Sequence, residues 1–149
     1  MELLRIMKRV ELFRGLSDAQ LARVAEISQK ETYSAKQAIC RQGEPGDKMF
    51  IVAEGQVEVM IRNSKGETFS AVYLGEGQLV GEMGLIDQTT RSATVLSVVD
   101  DTVVYSISNE DFTKLCASDT DIGYIMMRNI AQDLSFKLRH RDTDHSSAP

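Results

Sequence analysis

The sequence predicts an α+β domain organised around a double-sheet roll or barrel, and three observations predict it. Short apolar or alternating runs recur through the middle of the chain, separated by Gly-rich turns roughly every 8–12 residues, the pattern of an all-β core. Helical periodicity is confined to the two ends. No solenoid period is visible. With 149 residues and 42% hydrophobic content, the chain is long enough to bury a core without disulfides or metal.

The elements follow in order. Leu3, Ile6, Met7 and Val10 recur at helical spacing, predicting a short amphipathic helix over about Glu2 to Arg9. The pattern breaks at Gly15. Ser17 is a good N-cap with Asp18 in the first turn of a second helix, whose core face is Leu21, Val24, Ala25 and Ile27. Glu31–Ser34 and Ala38–Arg41 read as short strands, and Gly43-Glu44-Pro45-Gly46-Asp47 as a dense turn. Met49–Ala53 is an apolar strand, and Glu54-Gly55 a two-residue turn. Gln56–Arg62 alternates, with Val57, Val59 and Ile61 on one face and Glu58, Met60 and Arg62 on the other. Asn63–Gly66 turns into a strand over Thr68–Leu74, and Gly75-Glu76-Gly77 turns into Gln78–Val80. Ser92–Val98 and Thr102–Ile107 are two more strands around Asp100-Asp101. Ser108 or Asn109 caps a helix holding Phe112 and Leu115. A long last helix starts near 119–121, with Ile122, Ile125, Met126, Ile130 and Leu134 on one stripe and Met127, Ala131 and Leu138 beside it. The polar residues from about 141 read as a disordered tail.

Composition removes several function classes. The net charge of −5 argues against a nucleic-acid or anionic-membrane surface, which needs clustered Lys and Arg. The two cysteines, Cys40 and Cys116, have no paired spacing and read as free thiols in a reducing compartment. The only histidines, His140 and His145, lie at the C-terminus, so a sheet-borne metal centre lacks imidazole ligands and no metal cofactor is expected. No Ser–His or Cys–His pair is placeable for nucleophilic chemistry either. The N-terminus carries charges every few residues and is neither signal peptide nor membrane span, so a cytosolic protein is expected.

The chemistry concentrates in Gly81–Thr94, GEMGLIDQTTRSAT. A Gly-rich turn leading into a short helix leaves N–H groups pointing outward, a ready anion site. Gly81 and Gly84 let a ligand approach the backbone. Arg91 supplies a planar fork suited to phosphate oxygens. Ser92 adds a hydroxyl donor, and the small Ala93 leaves its N–H accessible. Glu82 repels phosphate when ionised and is better suited to accepting hydrogen bonds from a group attached to it, such as a sugar hydroxyl. One Arg and a few N–H groups fit an anion of low charge, and the P-loop pattern G-x-x-x-x-G-K-[ST] is missing. The alternative for the pair is a buried Glu82–Arg91 salt bridge, a poor stabiliser on its own.

Val80-Gly81-Glu82-Met83-Gly84-Leu85-Ile86 followed by Arg91-Ser92-Ala93-Thr94-Val95 resembles the phosphate-binding cassette of the cyclic nucleotide-binding domain family. That family includes bacterial catabolite activators, regulatory subunits of cyclic-AMP-dependent protein kinase and cyclic-nucleotide-gated channels. Leu12–Ser17, Gln42–Asp47, Met49–Val52 and Gly55–Val59 extend the likeness, which covers roughly Leu3 to Leu138. It implies a double-stranded β-helix (jelly roll) flanked by N-terminal helices and C-terminal lid helices. The domain would span 1–140, with the roll core and its flanking helices over 11–118, the lid helix over 119–140 and the tail over 141–149. It implies a ligand-binding site of Gly81, Glu82, Met83, Gly84, Leu85, Arg91, Ser92 and Ala93. Glu82 would hold a ribose 2′-OH and Arg91 the cyclic phosphate; the N–H groups of Gly84, Leu85 and Ala93 and the Ser92 hydroxyl would complete the shell. Leu134, Lys137, Leu138 and Arg141 are the lid residues expected near the base. Two scaffold positions depart from the common pattern: Val80 stands where many members have Phe, and Thr90 where many have Pro.

The resemblance implies a non-catalytic sensor of cyclic AMP, with cyclic GMP as the alternative, because Thr rather than Ser after the Arg tends to accompany cyclic GMP. The output would be an unidentified protein partner or fused effector. A transcription regulator needs a helix-turn-helix beyond the lid, and no recognition helix is expected before Pro149, hence no direct nucleic-acid binding. A ligand-binding piece of a channel, kinase or regulator, and an enzyme on a cupin-like roll, are the competing readings. The last helix either pairs with a second copy or spends its whole stripe packing on the roll.

Overall fold

The computed structural model describes residues 2–85 and 90–147, without side-chain placement for Met83, Gly84 and 141–147. Ile86, part of the matched segment, lies outside the described residues, as do 87–89. Helix α1 spans Glu2–Lys8 and buries Leu3, Ile6 and Met7, the stripe its spacing dictates. A 3-10 turn over Glu11–Phe13 leads into α2, Asp18–Glu26. Ser17 caps α2 reciprocally: its hydroxyl accepts from the Gln20 N–H at 3.2 Å, and the Gln20 side-chain oxygen accepts from the Ser17 N–H at 2.9 Å.

Eight strands follow: β1 Ser28–Tyr33, β2 Ala38–Cys40, β3 Lys48–Glu54, β4 Val57–Arg62, β5 Thr68–Leu74, β6 Leu79–Val80, β7 Thr94–Ser97 and β8 Thr102–Ser108. They form two antiparallel four-stranded sheets ordered β1-β8-β3-β6 and β2-β7-β4-β5. This is the expected jelly roll with helices at its flanks. Strand β3 explains its own continuous apolar run. Met49, Ile51 and Ala53 join α1, α2 and the C-terminal helices in one core, while Phe50 and Val52 face the second sheet with Val57, Val95 and Val104. A strand buried on both faces has no polar side to show.

The alternation of β4 meets an irregular partner. Val59 opposes Val72 but Met60 opposes Ser70, which leaves Ala71 as an extra residue in β5. Such a bulge increases local twist and bends the edge strand.

Helix α3, Asn109–Ser118, is capped by the Ser108 hydroxyl, which accepts from the Asp111 N–H at 3.1 Å. Helix α4 spans Thr120–Ser147, so the expected tail over 141–149 is corrected to helix as far as Ser147. Once formed, a helix adds residues at little cost, and no Gly or Pro interrupts this stretch before Pro149. Ile122, Met126 and Ile130 are fully buried and Leu134 packs against the same core. Each buried side chain of this kind contributes about 1.5–3 kcal/mol. A polar clasp adds direction: the buried Asn129 donates to the Leu12 carbonyl at 2.7 Å and the Arg14 carbonyl at 2.9 Å. Arg14 donates back to the Asn129 carbonyl, Gln132 and Asp133. The N-terminal turn and α4 are therefore fastened together beside the roll.

Candidate functional site

After β6 the chain bends at Gly81, with φ of +79°, into a 3-10 turn over Glu82–Leu85. Leu85 is buried in the helix-side core and anchors the turn. Gly81 is required twice. Its backbone lies in the left-handed region, and a Cβ there would fall well inside 3.0 Å of the Arg91 Nη1 and 3.1 Å from the Lys48 carbonyl.

Arg91 is part-buried and does not extend into solvent. Its Nη2 donates to the Lys48 carbonyl at 2.7 Å, and its guanidinium carbon lies 5.4 Å from the Phe50 ring centroid. Its main chain is clasped from the other side, with its N–H donating to the Glu44 carbonyl at 2.7 Å and its carbonyl accepting from the Gly43 N–H at 2.9 Å. Thr90 forms an antiparallel bridge with Pro45. Arg91 borders a cavity of about 330 Å³ shared with Tyr33, Cys40, Glu44 and Phe50. The acids nearby are engaged: Glu31 accepts from the Tyr33 hydroxyl at 2.6 Å and the Ser106 hydroxyl at 2.9 Å, and Glu44 from the Arg41 N–H at 3.0 Å. Burial and the Glu31 carboxylate push the Tyr33 hydroxyl well above its ordinary range, keeping it a donor. Burial also raises the Cys40 thiol, partly opposed by Arg91. Among the described residues the Arg91 guanidinium pairs with no carboxylate.

Glu82 therefore does not form the salt bridge with Arg91 that was its alternative role. It faces α4, with its carboxylate 3.9 Å from the Lys137 ammonium. It lines a void of about 20 Å³ with Leu12, Ile130, Asp133 and Leu134. It also lines a cleft of about 430 Å³ with Arg9, Leu74, Leu79 and Asp133. Gly81 joins the two charged groups: it precedes Glu82 in the chain and lies against the Arg91 guanidinium in space. Ser92 is exposed and Ala93 half-buried. Of the expected lid residues, Leu134 and Lys137 lie beside Glu82, whereas Leu138 is 57% exposed. The side chains of Arg141, Met83 and Gly84 are outside the described residues.

Sequence reasoning missed the wall that β5 supplies. Leu74, Val72 and Phe69 oppose Val57, Val59 and Ile61 across the ladder, so they share the inward face of that hairpin. Leu74 borders the Glu82 cleft. Phe69 and Val72 are 50% and 45% exposed, an uncovered apolar surface. The alternation of β4, carried across the Asn63–Gly66 turn, was the available signal. Among the described residues no group of three or more His, Cys, Asp or Glu is placed to hold a metal, and no helix is long and apolar enough to cross a membrane.

Proteins of similar sequence and fold are known. The chain is 38% identical over 124 residues to a cyclic nucleotide-gated potassium channel of Mesorhizobium japonicum, covering 83% of this chain and 33% of the channel. The Thermus thermophilus catabolite activator protein superposes with a TM-score of 0.79 at 29% identity, over 91% of this chain and 62% of that one. The regulatory domain of Toxoplasma gondii PKA, solved with cAMP, gives a TM-score of 0.70 at 26% identity, over 76% of this chain and 43% of that one. The chain thus spans only part of the length of these relatives. The family profile described as cyclic nucleotide-binding domain matches residues 30–119, which take in both sheets apart from the first two residues of β1, with the Gly81 bend, Glu82 and Arg91: this chain belongs to the cyclic nucleotide-binding domain family.

Proposed function

We propose that the domain is a non-catalytic sensor that binds cyclic AMP between Arg91 and Glu82 and passes occupancy outward through α4. The observation that carries this is the Arg91 guanidinium, part-buried, unpaired with any carboxylate among the described residues and packed against Gly81. A singly charged ring phosphate suits one guanidinium plus the N–H groups of Gly84, Leu85 and Ala93 and the Ser92 hydroxyl. Glu82 accepts from the ribose 2′-OH, and the apolar inward face of β5 receives the nucleoside. Ser92 after the Arg and the cAMP-bound kinase regulatory domain among the relatives favour cyclic AMP over cyclic GMP.

Leu134 and Lys137 put α4 in contact with the Glu82 side of the site, so ligand that alters this contact biases the position of α4. The receiver is a partner or fused effector, in keeping with the channel and kinase relatives, in a cytosolic setting and with no direct role for nucleic acid. Tyr124, Met127 and Leu138 form an exposed apolar stripe on α4, which supports self-association through that helix.

Calorimetry tests the reading. Cyclic AMP is expected to bind more tightly than cyclic GMP, and 5′-AMP weakly, because its open dianionic phosphate exceeds what one guanidinium neutralises. Glu82→Ala should weaken cyclic AMP about tenfold, the loss of one hydrogen bond to a charged acceptor, and leave 2′-deoxy cyclic AMP nearly unchanged. Equal losses for both ligands would remove the ribose role, and no heat from any of the three nucleotides would remove the sensor.

A further inference from the structure

On the solvent face of the second sheet, away from Phe50 and the roll interior, lies a groove of about 520 Å³ flanked by Arg41 and Arg62. Met60 floors it, and the Thr68 and Thr94 hydroxyls line it. Both arginines are exposed, and among the described residues neither guanidinium has an ion-pair partner. Among the described residues no carboxylate borders the groove. The nearest acids in sequence are occupied: Glu44 accepts from the Arg41 N–H, Glu67 from the Asn63 side chain and Glu58 from the Tyr73 hydroxyl. In a chain of net charge −5, two guanidinium groups flanking one groove make a local patch of positive charge.

The platform that carries them is rigid. The Gln42 side chain donates to the Arg62 carbonyl at 3.0 Å and accepts from the Arg62 N–H at 2.8 Å, an amide that substitutes for a strand partner. The Gln42 N–H donates to the Thr94 hydroxyl at 2.9 Å. The same loop then reaches the nucleotide side, where Gly43 and Glu44 clasp the main chain of Arg91.

We propose that this groove docks an acidic peptide segment of a partner protein, with Arg41 and Arg62 gripping its carboxylates as bidentate forks. A short acidic segment fits better than a long polyanion, since the rest of the acidic surface repels a nucleic-acid chain beyond the groove. Docking is coupled to the nucleotide site through the 41–44 loop, and this second clause rests on the sensor reading above.

The test is fluorescence anisotropy of a fluorescein-labelled hexaglutamate peptide at low ionic strength. Arg41→Glu/Arg62→Glu is expected to weaken binding about tenfold or more, while Lys30→Glu/Lys114→Glu, with the same change in net charge, stays near wild type. Equal weakening in both variants, or no anisotropy change with wild-type protein, overturns the docking site. Tighter binding of a labelled single-stranded oligonucleotide than of the peptide overturns it in favour of a nucleic-acid surface. Saturating peptide should change the calorimetric affinity for cyclic AMP, and an unchanged value overturns the coupling. Peptide binding without any cyclic AMP binding would retire the sensor reading and leave the docking site standing.

Discussion

The two charged groups of the candidate site are held by different kinds of structure. Arg91 belongs to the sheets: a β3 carbonyl holds its side chain, the Phe50 ring packs against it, and main-chain hydrogen bonds from the 43–44 loop fix its backbone. Glu82 lies between the helices and the roll: it shares a cleft with Leu74 and Leu79 of the strands, but Leu12 and residues of α4 close its other side, and its charged partner is a mostly exposed lysine of α4. Under the proposed function the difference separates two tasks. A phosphate site gains from donors that do not reorganise when the anion arrives. A sugar site that must report occupancy needs a neighbour able to move, and on the proposed reading α4 is that neighbour, since its residues 135–140 are exposed.

The comparison is broken most sharply by Arg91→Leu. This is expected to weaken cyclic AMP binding about a hundredfold or more, in the range for truncating one partner of a hydrogen-bonded charge pair. Because the backbone clasp and Gly81 remain, the urea midpoint should change little. Affinity within threefold of wild type, measured by calorimetry, would mean that the anion is held elsewhere and that the sheet side is scaffold only.

A smaller effect is expected where α4 joins the N-terminal turn. Asn129→Ala strands the Leu12 and Arg14 carbonyls, each of which accepts from its buried amide. The Asn129 Oδ1 has no hydrogen-bond partner, so deleting it returns part of the loss. The net cost is about 1–2 kcal/mol, read as a lower urea midpoint at constant m-value. A loss under about 0.5 kcal/mol would show that Ile122, Met126 and Ile130 alone hold the helix. A changed m-value would show that α4 unfolds separately from the roll.

How much was legible in the sequence follows the same division. Strand positions, both N-caps and the bend at Gly81 came from local patterns, because capping, turn chemistry and alternation act over a few residues. The surroundings of Arg91 did not: Lys48 and Phe50 are some forty residues away in the chain, and nothing local in Lys48–Glu54 says that its first carbonyl would face a guanidinium. The Arg14–Asn129 clasp spans 115 residues and carries no motif. The Ala71 bulge was hidden because TFSAVYL reads as an ordinary strand until its register against β4 is known. The end of α4 was misjudged for another reason: polarity marks the loss of packing, not the loss of helix.

The smallest expected effect sharpens the comparison from the helix side. Lys137 and Glu82 are 3.9 Å apart with side chains 66% and 30% exposed, and a pair so accessible is worth about 0–1 kcal/mol. The three buried apolar residues of α4 outweigh it several-fold, so the pair tunes the helix without holding it. Lys137→Met keeps the stem and removes the charge. It should leave the urea midpoint unchanged and alter cyclic AMP affinity by no more than about threefold, an effect that shrinks further at high salt. If calorimetry instead returned a tenfold loss that persisted in salt, Lys137 would be a desolvated ligand contact, and the helix side of the site would be built as firmly as the sheet side.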